Sequence, residues 1–155
     1  MLPLNSPVIQ QGYFYAANGS AYGEFSASLA IQGGAVIGPD SVIRTIREIE
    51  TLTANGLQDI PSSRAQETAK RLLSEAQLKR PIYVIASAVE ASEGDLLIHW
   101  DTAIKSVVLI CPASAAKPAQ VYTEVLDGRR AVQSEMIEAS PQTLSDALAW
   151  VLRAK

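Results

Sequence analysis

A chain of 155 residues with 48% hydrophobic and 19% charged positions is long enough to bury a core within one domain, and its composition excludes intrinsic disorder. The formal net charge is −3 and the 13 Lys and Arg residues are scattered, which argues against a surface that neutralises successive phosphates and hence against a nucleic-acid partner. Cys111 is the only cysteine, so an internal disulfide framework is excluded and a reducing, cytoplasmic setting is expected.

The chain opens with Met1-Leu2-Pro3-Leu4-Asn5-Ser6-Pro7. This stretch has neither the basic n-region nor the unbroken apolar h-region of a secretory leader, and no later stretch reaches the ~18 apolar residues of a membrane span. Residues 1–38 form a Gly- and aromatic-rich segment, in which Gly12, Gly19, Gly23, Gly33, Gly34 and Gly38 punctuate short apolar runs. Two or three short strands or an extended arm are expected there.

Residues 39–80 read as two helices. The first starts after Gly38-Pro39 with Asp40 or Ser41 as its cap, carries Val42, Ile43, Ile46, Ile49 and Leu52 at the helical period, and ends at Asn55-Gly56. The second has capping-box spacing between Ser63 and Gln66, an apolar face of Ala65, Ala69, Leu72, Leu73 and Ala76, and a stop at Pro81. The connection is short enough for a helical hairpin.

Residues 81–138 change to strand periodicity. Five strands are predicted, at Ile82–Ala88, Leu96–Trp100, Ser106–Cys111, Gln120–Leu126 and Ala131–Ile137. Glu93-Gly94-Asp95 and Asp127-Gly128 are turns, and connections this short build an antiparallel meander. Along the second strand Leu96, Ile98 and Trp100 take one face, and Leu97, His99 and Asp101 take the wetter one. The run Val107-Val108-Leu109-Ile110 is apolar on both sides, as expected of a central, covered strand. Residues 139–155 close the chain with a helix capped by Ser140, with Pro141 at its first position and a stripe of Leu144, Ala147, Leu148, Val151 and Leu152. The expected fold is therefore a single α+β domain: an antiparallel β-meander of about five strands, a helical hairpin before it, a C-terminal helix after it, and a strand-rich N-terminal segment.

No motif points to a cofactor. The chain contains neither a Gly-x-Ser-x-Gly elbow nor a phosphate loop, and Glu90, Glu93, Asp95, His99 and Asp101 match no metal signature, so they read as solvated turn carboxylates beside a lone imidazole. Cys111 and His99 fall on neighbouring strands, which raises a thiol–imidazole pair, but a lone cysteine ending an apolar strand is more usually core filling. Tyr13, Phe14, Tyr15, Tyr22 and Phe25 concentrate the aromatics of an aromatic-poor chain in one segment. Alternate members cover a sheet as core, and outward ones, with Tyr13, Tyr15, Tyr22 and Phe25 as candidates, suit a binding surface together with His99.

From Ser63 to Lys155 the order of elements, the strand ending Leu97-Ile98-His99-Trp100 and the closing Leu148-Ala149-Trp150-Val151-Leu152 resemble a loose class of small bacterial accessory proteins of mobile elements or toxin–antitoxin-like gene pairs. That resemblance implies a partner protein. The expected function is a non-enzymatic protein-binding module, antitoxin- or inhibitor-like. The alternative is a small-molecule-binding protein or an enzyme using a cleft near His99 and Cys111, and self-association through uncapped edge strands is a further expectation.

Overall fold

The computed structural model describes residues 30–32, 35–38, 40–54 and 59–153. They form a short hairpin of β1 (Ala30–Gln32) and β2 (Ala35–Ile37), helices α1 (Ser41–Ala54) and α2 (Ser63–Lys79), a meander of β3 (Ala88–Ser92), β4 (Asp95–Asp101), β5 (Lys105–Cys111), β6 (Gln120–Asp127) and β7 (Arg130–Glu138), and helix α3 (Pro141–Val151). The five strands of the meander lie in the order β3-β4-β5-β6-β7, antiparallel throughout. This is the α+β arrangement expected from the sequence, with the helical hairpin before the sheet and one helix after it.

All three helices contribute to one core on one face of the sheet. Ile49 of α1, Ala69, Leu72 and Leu73 of α2, and Leu144, Leu148 and Val151 of α3 share a buried cluster with Leu96, Ile98, Trp100, Val107, Leu109, Cys111 and Val121 from the strands. Ile43 departs from the predicted stripe of α1 and is half exposed.

The Ser140 hydroxyl caps α3 by accepting the Thr143 amide, and the Ser140 amide donates in return to the Thr143 hydroxyl, completing a capping box worth about 1 kcal/mol. At α2 the cap is Ser62 and not Ser63: its hydroxyl accepts from the Ala65 amide at 3.0 Å, while Gln66 Nε2 donates to Pro61 O at 3.0 Å. The Ser62 amide is already taken by Gly94 O at 2.9 Å. A tertiary bond to the β3–β4 turn thus decides the helix start.

The strand predicted at Ile82–Ala88 does not join the meander, whose first strand begins at Ala88. Ile82 and Val84 are buried, but the backbone of this stretch is engaged elsewhere. The Ile82 amide donates to Gln77 Oε1 at 2.7 Å, Ile82 O accepts from the Ser41 hydroxyl, Tyr83 O accepts from the Gly38 amide, and Val84 bridges Ile37. The segment ties α1, α2 and the small hairpin together, which removes it from the sheet.

Lys105 enters the core side of β5 with only 3% of its surface exposed. Its Nζ donates to Trp150 O at 3.0 Å and Arg153 O at 2.9 Å, and lies 4.7 Å from the Trp150 ring centroid. The terminal carbonyls of α3, of which Trp150 O also accepts the Arg153 amide, and the negative end of its dipole meet a cation there. Burial, and then the Arg153 charge, push the ammonium pKa down. The ring of Trp150 thus receives the Lys105 ammonium, while Trp100 lies in the core.

Two tight turns set the register. Glu93 and Gly94 have φ of 53° and 88° between the paired Ser92 and Asp95, the signature of a type I′ turn. The second turn consists of Gly128 and Arg129, between the paired Asp127 and Arg130, and Gly128 has φ of 66°. It falls one residue later than the predicted Asp127-Gly128. Glu93 lacks the side chain that best tolerates a left-handed backbone. Glu93→Asn is therefore expected to raise stability by about 0.5–1 kcal/mol, read as a higher urea midpoint at unchanged slope.

Candidate functional site

Because side chains alternate along a strand, the register defines two faces. On the face turned away from the core, the middle row runs Ala88, His99, Val108, Tyr122, Met136. One adjacent row runs Glu90, Leu97, Ile110, Gln120, Glu138, and the other runs Asp101, Ser106, Glu124, Ser134. Leu97, Ile110, Val108, Tyr122 and Met136 form an apolar strip across β4 to β7, flanked by Glu90, Glu138, Asp101 and Glu124. No position of these three rows is Lys or Arg.

Among the described residues the helices cover Val107–Ile110 from one side and no helix packs on this outer face; the N-terminal segment, expected as a cover alongside the helices, lies largely outside the described residues. Val108 is buried yet stands outside the core cluster. Its shielding is consistent with the flanking side chains of its own sheet, His99 and Tyr122 on either side.

Three of the carboxylates are held by neighbours. Glu90 Oε2 lies 2.6 Å from His99 Nε2, an ion pair whenever the imidazole is protonated, although the pair lacks the alignment of a directed hydrogen bond. Ser106 Oγ donates to Asp101 Oδ1 at 2.6 Å, and the Tyr122 hydroxyl donates to Glu124 Oε1 at 2.8 Å. The bond to Glu124 holds the phenol pKa above its ordinary value. Such ties orient the carboxylates along the rim of the strip.

His99 and Cys111 do not share a site. Cys111 pairs with Leu96 and lies on the core face with no exposed surface, whereas His99 pairs with Val108 and points to the outer face. A thiol–imidazole pair is therefore not assembled, because residues of opposite parity on adjacent strands face opposite ways. Burial pushes the thiol up to about 12, against a smaller downward pull from Arg71, so it is a neutral core side chain at ordinary pH.

The residues weighed as metal ligands are dispersed as well. Asp95 Oδ1 accepts the Ala113 amide at 2.7 Å, Asp101 is engaged by Ser106, and Glu93 occupies an exposed turn. Among the described residues no three His, Cys, Asp or Glu side chains converge. A depression of about 40 Å³ between residues 80–84 and α3, lined by Ile82, Val84, Ser145 and Leu148, has room for water but not for an organic ligand, whose sites are typically about 300 Å³ or more.

Tyr13, Tyr15, Tyr22 and Phe25 lie outside the described residues. His99 is placed within the outer strip, at its acidic edge. Leu97, Val108, Ile110, Tyr122 and Met136 were not singled out as binding residues from the sequence. Strand alternation in the sequence places Leu97 beside His99 on one face, but the registers of β4 to β7 that assemble the strip are set by separate connections. Among the described residues no helix is long and apolar enough to cross a membrane. Compared with known protein families, curated proteins and solved structures, the chain matches none.

Proposed function

We propose that this chain is a non-enzymatic protein-binding accessory module, antitoxin- or inhibitor-like, that holds a basic protein surface against the outer face of its sheet. One observation carries the reading: an apolar strip spans four strands with carboxylates on both flanks, with no described helix over it. Apolar centres supply the contact energy of an interface, and a single-sign rim selects the partner and speeds encounter. A partner offering Lys and Arg around an apolar centre fits that pattern. The aromatic segment around Tyr13, Tyr15 and Tyr22 supplies a second contact in this reading.

The test is affinity capture of a partner by the tagged full chain, followed by titration of the purified pair. Tyr122→Ala is expected to weaken binding at least about tenfold, as removal of a central aromatic anchor does. Neutralising the rim by Glu90→Gln, Glu124→Gln and Glu138→Gln together is expected to slow association and flatten its salt dependence. Substituting Tyr13, Tyr15 and Tyr22 by Ala reads the second contact. Unchanged affinity in the Tyr122 and rim variants, with circular dichroism unaltered, would remove the outer face from the interface.

A further inference from the structure

The apolar strip of the outer face has a cover available within its own chain. Along β5 the side chains are apolar on both sides of the sheet: Val107 and Leu109 belong to the core cluster, while Val108 and Ile110 turn outward with their neighbours His99, Tyr122 and Leu97. A strand of that composition is covered on both faces, and the described helices cover the core side. With Leu97, Tyr122 and Met136, the outward residues form a surface that the described part of the chain leaves unfilled. Met136 is 48% exposed on it.

Residues 1–29 have the composition to fill it. They hold five of the nine aromatic side chains, Tyr13, Phe14, Tyr15, Tyr22 and Phe25, together with Leu2, Leu4, Val8 and Ile9, and their one charged side chain is Glu24. A segment with so little charge carries almost no desolvation cost onto an apolar surface. Tyr joins an apolar ring to a hydroxyl donor. That combination suits a strip of Leu, Val and Ile whose flanks carry the Glu90 and Glu138 carboxylates as acceptors.

The point at which the segment enters the described structure gives it the reach. Ala30 pairs with Ile37, and Ile37 bridges Val84, which sets Ala30 about 10 Å from Val84 at ordinary strand spacing. Ala88, four residues beyond Val84, opens the middle row of the outer face and is therefore within about 25 Å of Ala30. From there the five strands span about 20 Å. A chain extends at most about 3.3–3.6 Å per residue. Tyr22, eight residues before Ala30, can thus reach the β3 side of the face, and Tyr15, fifteen residues before it, can reach β7.

We infer that in the free chain residues 1–29 dock on the outer face of the sheet, with their tyrosine and phenylalanine rings against the strip from Leu97 to Met136. A partner bound to that face displaces the segment, whose rings are then free for the second contact; this step rests on the partner reading above, whereas the cover itself does not.

Met136 reports the cover, because a shielded thioether oxidises more slowly than an exposed one. The full chain is treated with dilute hydrogen peroxide, and the sulfoxide at Met136 is followed by peptide mass spectrometry, which separates it from Met1, the other methionine. Tyr13→Ser, Phe14→Ser, Tyr15→Ser, Tyr22→Ser and Phe25→Ser together are expected to speed this oxidation about tenfold at unaltered circular dichroism, as loss of a cover present about nine-tenths of the time does. Equal rates would overturn the cover. A second measurement keeps the rest of the segment intact and decides if the multiple variant alters the fold. With Tyr15→p-benzoylphenylalanine, irradiation of the dilute full chain is expected to join the segment to outer-face residues of β4 to β7 of the same molecule. Crosslinks to the helices, to a second copy, or to nothing would overturn it. Unchanged partner affinity in Tyr122→Ala removes the partner from the outer face and leaves both of these results as they stand.

Discussion

Trp100→Ala is expected to lower the free energy of unfolding by about 3–5 kcal/mol, a large share of the roughly 5–15 kcal/mol typical of a folded domain. Trp100 is 1% exposed, pairs with Val107 and lies in the cluster shared with α2 and α3. No smaller side chain from a sheet and three helices can collapse into the space that an indole leaves.

Trp100→Phe is expected to behave differently. Among the described residues the buried indole Nε1 has no hydrogen-bond partner, and a buried donor left unpaired costs about 1–3 kcal/mol. Phe removes that donor along with part of the ring, so relief of the polar penalty offsets much of the lost packing. The variant should stay within about 1 kcal/mol of the parent on this balance. Urea unfolding followed by circular dichroism measures both. If Phe is as destabilising as Ala, the indole donor is satisfied in solution and the cavity term alone governs the site.

The second large effect is an alkaline loss of stability from Cys111. The unfolded chain releases this thiol proton near 9.0, whereas burial in the folded state holds it to about 12. Between those values the native state binds more protons than the unfolded state, so stability falls as pH rises. The contribution is complete below pH 9 and is lost by about pH 12, at about 1.4 kcal/mol per pH unit and about 4 kcal/mol over the window. Cys111→Ala lacks this dependence. It should be less stable than the parent at neutral pH, by a cavity cost of about 1–2 kcal/mol, with the gap closing and then reversing above pH 10. Urea midpoints of both proteins across pH 7–11 measure the difference, which cancels the shared titration of Lys and Tyr. A gap that stays constant with pH would mean that the thiol is accessible to water in the folded state.

The helices were legible because each carries its own instructions. Ser140, Pro141 and the Leu144–Leu148–Val151 spacing specify α3 from start to stripe with no reference to the rest of the molecule. The meander was legible because its turns are short: Glu93-Gly94, and Gly128 near Arg129, leave no room for crossovers. Where competing local signals existed, tertiary bonds chose between them. The spacing to Gln66 pointed to Ser63 as the cap, yet the cap is Ser62, whose amide is held by Gly94 O. Residues 82–86 have the composition of a strand, but the Ile82 amide is taken by Gln77 and the Ile82 and Tyr83 carbonyls by Ser41 and Gly38.

The candidate sites were less legible, since they depend on which residues face one another across strands. His99 and Cys111 lie close in the strand order yet face opposite sides, and parity in two registers had to be known together to separate them. The strip of Leu97, Val108, Ile110, Tyr122 and Met136 draws on four strands, so no local window contains it. By itself the sequence determined the α+β class, the helix faces and the antiparallel order, because caps, periodicity and turn residues act over a few positions. The tertiary structure decided which face the described helices leave uncovered, where the buried thiol and lysine lie, and how the five strands are ordered, because these follow from long-range pairing and from the competition of backbone groups for partners.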